Sequence, residues 1–125
     1  MYPADITGPL TQTSVSAIAA RTATVTATGV DVRGYKGGLV VQQLVGVVSG
    51  TTPTLDGKLQ QSSDNSTWSD IAGATFTQVT ATDSFQKIGI DVRQTGGYVR
   101  YVGTIAGTTP SFTMGVVLLG QKERV

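Results

Sequence analysis

Gly29-Val30-Asp31-Val32-Arg33, followed by Gly37-Gly38, an aliphatic run from Leu39 to Val48 and Gly50-Thr51-Thr52-Pro53, occurs twice in this chain. The second copy reads Gly89-Ile90-Asp91-Val92-Arg93, then Gly96-Gly97, Tyr98 to Ile105 and Gly107-Thr108-Thr109-Pro110. The offset falls from 60 residues between Gly29 and Gly89 to 57 between Gly50 and Gly107, so the copies differ by small deletions only. The reading is a duplicated β unit.

Working outward, Leu39 to Val48 is β-branched and apolar on both faces, as a central strand covered on each side would be. Lys36-Gly37-Gly38 is its entry turn. Gly46 marks a bulge or close crossing, and Pro53, which lacks an amide hydrogen, is expected to end the strand. Upstream, Thr22 to Thr28 alternates strictly, which places Ala23, Val25 and Ala27 on a dry face and four threonines on a wet one. Val30 and Val32 continue inward. A short strand is expected within Thr13 to Ala20. Residues 1–12, with Pro3, Gly8 and Pro9 and no periodicity, read as an extended arm, either disordered or held by a neighbour.

Downstream, Leu55 to Gln61 is a strand and Ser62 to Ser66 a polar turn. Thr67 to Ile71 is a short strand or corner carrying the only tryptophan, Trp68. Thr75 to Val79, Ser84 to Val92, Gly97 to Ile105 and Phe112 to Leu119 follow as strands, and residues 121–125 form an exposed tail. No window keeps helical amphipathic spacing. About eight strands at 8–12-residue spacing imply an all-β, single-domain sandwich or barrel. The duplication favours a β-sandwich of jelly-roll, Greek-key type over residues 13–120.

Composition bounds the chemistry. The 125 residues contain no Cys and no His, which removes thiol nucleophiles, the usual zinc ligands and the commonest general base. Asp56, Asp64, Asp70 and Asp83 sit where turns favour Asp, and no Glu precedes Glu123. A non-enzyme without a cofactor is therefore expected. A net charge of +1 argues against nucleic acid or an anionic membrane as partner. Charged residues make up 14% of the chain, against about 25% in ordinary soluble domains; so sparse a surface fits one covered by partners. The amino terminus lacks the pattern of a signal peptide, and no apolar run approaches the roughly 20 residues of a membrane helix.

Three constellations have two readings each. Asp64, Asn65, Ser66 and Asp70 offer oxygens for a hard cation or cap a tight turn; the turn is favoured. Asp31 with Arg33 and Asp91 with Arg93 form surface salt bridges, or fix the register of a neighbouring subunit. Trp68, Tyr98, Tyr101, Tyr35 and Phe112 make a sugar platform or, as favoured here, serve as core and interface anchors.

Gln60-x-Ser62-x-Asp64-x-Ser66-x-Trp68, followed by Ala74-Thr75-Phe76, resembles a stretch of small virion proteins of tailed bacteriophages. Tyr98-Val99-Arg100-Tyr101-Val102, with Gly107 to Phe112 and the closing aliphatic strand, is similar to the second half of those proteins. The resemblance covers residues 39–120 and rests on structural positions. It implies a head decoration (cement) protein, made in the host cytoplasm and ending in the virion. It also implies a homo-oligomer, commonly a trimer, bound to the major capsid protein lattice. A tail or baseplate component, or a glycan-binding receptor module, is the alternative. Expected contact residues are Tyr2, Pro3 and Ile6 of the arm, Tyr98, Arg100 and Thr104 of the second copy, and the Asp31/Arg33 and Asp91/Arg93 pairs.

Overall fold

A computed structural model describes residues 10–122. Seven antiparallel strands form one continuous sheet: β1 (Leu10–Arg21), β2 (Val25–Thr26), β3 (Val30–Asp31), β4 (Tyr35–Ser62), β5 (Ser69–Thr75), β6 (Ser84–Asp91) and β7 (Tyr98–Lys122). A 3-10 turn, Val92–Gln94, links β6 to β7.

The frame is a ribbon of β4 and β7, paired from Tyr35↔Lys122 to Ser62↔Tyr98. The ribbon folds over on itself. Tyr101 lies opposite Leu59, yet its hydroxyl reaches Gln43, a point that would be about 50 Å away along a straight strand. Folding yields two leaves. In the first, β1 flanks residues 112–121 of β7 and β6 flanks residues 38–45 of β4. In the second, β2 and β3 flank residues 98–103 of β7, and β5 flanks residues 58–61 of β4. In the second leaf β2 and β3 follow one another along the same edge of β7, so each leaf is four strands wide. One core cluster, including Val41, Val45, Leu55, Leu59, Tyr101, Phe112 and Val116, fills the space between them.

The fold occurs at the repeated Gly-Thr-Thr-Pro. Gly50 and Thr52 have φ of 110° and 46°, and Gly107 and Thr109 have 121° and 48°. In each segment the second threonine bonds back to the first: Thr52 Oγ1 donates to the Thr51 carbonyl and Thr109 Oγ1 to the Thr108 carbonyl. The two bends face each other through Thr51↔Thr108. A Cβ on Gly50 would lie 2.5 Å from the Thr109 carbonyl oxygen, and one on Gly107 would lie 2.8 Å from that of Thr52. The duplication is thus a local twofold in three dimensions.

Several expectations change. Pro53 does not end its strand; β4 bends and continues to Ser62, because the partner strand bends at the same place and resumes pairing at Thr54↔Ala106. Of Thr22 to Thr28 only Val25–Thr26 is strand and Ala23 is exposed, since alternation gives no ladder where the facing edge is met only briefly. Strand β1 begins at Leu10, inside the expected arm, because residues 10–14 find β7 to pair with. At the other end β7 runs to Lys122, so the expected tail begins as strand.

Candidate interaction surfaces

Strand alternation gives each leaf one face in the core and one outside, and residues directly opposite on antiparallel strands share a face. The two outer faces have opposite chemistry.

On the first leaf the outer face is apolar. Register places Phe85, Leu44 and Gly115 in one transverse row, with Ile18 packed over Gly115. The next row is Lys87, Gln42 and Val117; the third is Gly89, Val40 and Leu119. Phe85 is 70% exposed, Ile18 71%, and Val47 nearby 63%. The expectation that Leu39 to Val48 is covered on both faces holds for one face only, that of Leu39, Val41 and Val45, which are buried. Val40 and Leu44, facing outward, are only half-buried. An open groove of about 900 Å³ lies between Lys36 and Lys87, over Val40 and Leu119.

On the second leaf the outer face is polar and internally bonded. Arg100 lies 4.6 Å over the Trp68 ring and donates to Gln60 Oε1 at 2.8 Å. Asp70 accepts from Gln60 and pairs with Lys58, and these donors hold its carboxyl below the usual range. Arg33 lies 5.0 Å from the centre of the Tyr98 ring and pairs with Asp31 at 2.7 Å. Charge–ring stacking of this kind uses the ring's negative face.

The expected contact residues therefore divide. Tyr98, Arg100 and Thr104 share the second leaf's outer face, and Asp31 joins them opposite Tyr98. Asp91 sits apart, opposite Gly38 on the first leaf, and pairs with Arg93 at 3.2 Å. Both acidic residues also accept the backbone N–H of their own arginine, so these are turns locked by a salt bridge. Tyr2, Pro3 and Ile6 lie outside the described residues. Tyr101 and Phe112 are core residues with no exposure, which removes Tyr101 from any sugar platform. The exposed row through Phe85 and Ile18 has no local sequence signal, because its residues come from different strands and meet only through register.

Asp64 resolves as a turn. Its Oδ1 accepts from the Ser66 and Thr67 amides and from the Ser62 hydroxyl, and these bonds lower its proton affinity. Asp56 receives the Gln78 amide. Among the described residues no three metal-ligating side chains converge, and no helix is long and apolar enough to cross a membrane.

No family model and no curated protein matches the chain. Solved structures do. VP2 in a subviral particle of infectious bursal disease virus superposes with a TM-score of 0.54 at 12% identity, over 88% of this chain and 31% of that one. The chain shares a fold with part of VP2. The Gx strain structure of the same virus gives 0.54 and 12%, over 88% of this chain and 30% of that one. This chain thus spans about a third of those viral chains. A protein from the SPBc2 prophage, YomS, is 14% identical over 89% of this chain and 95% of its own, with a TM-score of 0.49.

Proposed function

We propose that the protein is a non-enzymatic structural component of a bacteriophage virion, a decoration or cement protein that bridges and stabilises neighbouring capsid subunits. The observation that carries this reading is the open apolar face of the first leaf, set against a second leaf whose polar groups are satisfied among themselves. Contiguous exposed apolar surface marks a contact site. The fold shared with part of VP2 and the resemblance to small virion proteins supply the kind of partner. Assembly as a homotrimer on the capsid lattice, after synthesis in the host cytoplasm, completes the proposal. A protein that binds only the assembled lattice stabilises it by mass action, in proportion to occupancy and affinity.

The test uses phage heads stripped of this protein and the purified chain added back. Wild-type protein should bind and raise the temperature at which heads release DNA. Phe85→Glu and Val47→Glu should lower affinity at least tenfold, whereas Arg100→Ala should leave it within twofold. Equal binding by all variants, or none by the wild type, defeats the reading.

A further inference from the structure

Most edges of the two leaves are broken. Strand β1 shifts register twice against β7, β5 shifts once against β4, and β2 and β3 are two residues long each. Strand β6 differs: its eight residues pair with β4 without a shift, and among the described residues no strand flanks its other side. Phe85, Lys87 and Gly89 are exposed, and Ile88, on the inner face, is only half-buried. A regular edge with apolar groups on both faces is a template for another strand.

We propose that this edge takes β6 of a second copy, antiparallel, with the twofold axis at Gly89. Residues directly opposite share a face, so the outer set Phe85, Lys87, Gly89 and Asp91 must meet its own kind. An overlap of five residues or more then leaves the axis at Gln86, Lys87, Ile88 or Gly89. An axis at Lys87 sets two ammonium groups against each other. An axis at Ile88 sets Phe85 against a carboxylate and Lys87 against a glycine, and one at Gln86 sets Ile88 against Ser84. With the axis at Gly89, each Lys87 faces Asp91 of the second copy and each Ile88 faces its Ile90, so charge and apolar surface are both matched, twice over. Lys87 makes no ion pair among the described residues. Asp91 has room for it: a carboxylate offers about four acceptor sites, and Arg93 fills three, through its amide, Nε and NH2. The Asp91 N–H donates to Gln94 Oε1 at 2.8 Å, which ends the ladder there.

The contact fuses two first leaves into one continuous sheet. Its axis stands normal to that sheet, so the apolar rows of both copies face the same way and meet one surface together. Being twofold, it is separate from any threefold contact, and it holds whether or not that surface is a capsid.

The chain has no cysteine, and a Cβ on Gly89 would lie 4.0 Å from the Leu39 carbonyl oxygen, an ordinary contact, so Gly89→Cys is accommodated. Across the axis its Cα would lie about 4.5–5.5 Å from its twin, within disulfide range. On mild oxidation of the full-length protein, Gly89→Cys should form covalent dimer at least tenfold faster than Val47→Cys, a position 63% exposed but off this edge. Adding Lys87→Asp to Gly89→Cys should slow the linkage at least fivefold, and further adding Asp91→Lys should restore it to within twofold. Equal rates for Gly89→Cys and Val47→Cys, or a faster one for Val47→Cys, mean that the copies meet elsewhere or not at all, and overturn the pairing. Linkage unchanged by Lys87→Asp overturns it too, as does a folded triple variant that stays slow. If Asp91→Lys prevents folding, Lys87→Asp, at an exposed position, carries the charge readout alone.

Discussion

Tyr101 donates its hydroxyl hydrogen to Gln43 Oε1 over 2.5 Å, inside the core and between the two leaves. The two residues are equivalents in the repeat. Val41, Gln43 and Val45 are matched 58 positions later by Val99, Tyr101 and Gly103, all six buried. The bond therefore joins the copies near their local twofold, and Gly57 leaves it room, since a Cβ there would lie 2.3 Å from Gln43 Oε1.

Removing one partner of this bond leaves the other stranded. Gln43 Nε2 has no partner among the described residues, so Tyr101→Phe strands the whole carboxamide. Tyr101→Phe is expected to cost about 1–3 kcal/mol in urea unfolding. Adding Gln43→Leu should recover part of that loss, because an apolar pair leaves no buried amide. A double variant no more stable than Tyr101→Phe would count against the pairing.

The same burial sets an alkaline limit. Desolvation first, and then the charge of Asp56, raise the Tyr101 hydroxyl above its ordinary value of about 10. The folded state keeps the proton where the unfolded chain releases it, so stability is fully present below about pH 10 and declines as pH rises above it. Urea midpoints measured from pH 8 to 12 should show this decline, and Tyr101→Phe should make it shallower.

On the acid side the sign reverses. Hydrogen bonds from Thr67, Ser62 and Ser66 lower the Asp64 carboxyl, and Arg93 lowers that of Asp91. Stability from these groups is present above the unfolded value near 4 and is lost as pH falls through the lower folded values. Asp64→Asn should flatten the acid limb of the stability curve while leaving its shape above pH 6 unchanged.

The two bends should respond alike. Gly50→Ala and Gly107→Ala each place a Cβ at positive φ against a facing carbonyl. Each should cost about 1–3 kcal/mol in thermal or urea unfolding. Because the bends touch, the double variant should depart from additivity by about 0.5 kcal/mol or more. A large cost at one glycine and none at the other would break the local symmetry.

Trp68 is the only tryptophan, so its fluorescence reads the second leaf directly. Arg100→Ala removes the stacked guanidinium and should shift Trp68 emission while costing about 0.5–1 kcal/mol. An unchanged spectrum would show that the stack does not persist in solution.

The sequence by itself determined the all-β class, the duplication, the turn residues and most of the core face, because alternation and Gly-Pro punctuation are local signals read along one strand. It also placed Tyr98, Arg100 and Thr104 together, since they share a strand face. Tertiary structure decided three things that no local signal carries. Pro53 and Pro110 became bends within long strands only because the two Gly-Thr-Thr-Pro segments lie opposite each other. Tyr101, which local pattern leaves open between core, interface and sugar platform, is core because Gln43 folds back onto it. The apolar outer face of the first leaf exists only after register aligns Phe85, Leu44 and Ile18 from three strands, and pairing across strands is set by long-range contacts that a one-dimensional pattern leaves open.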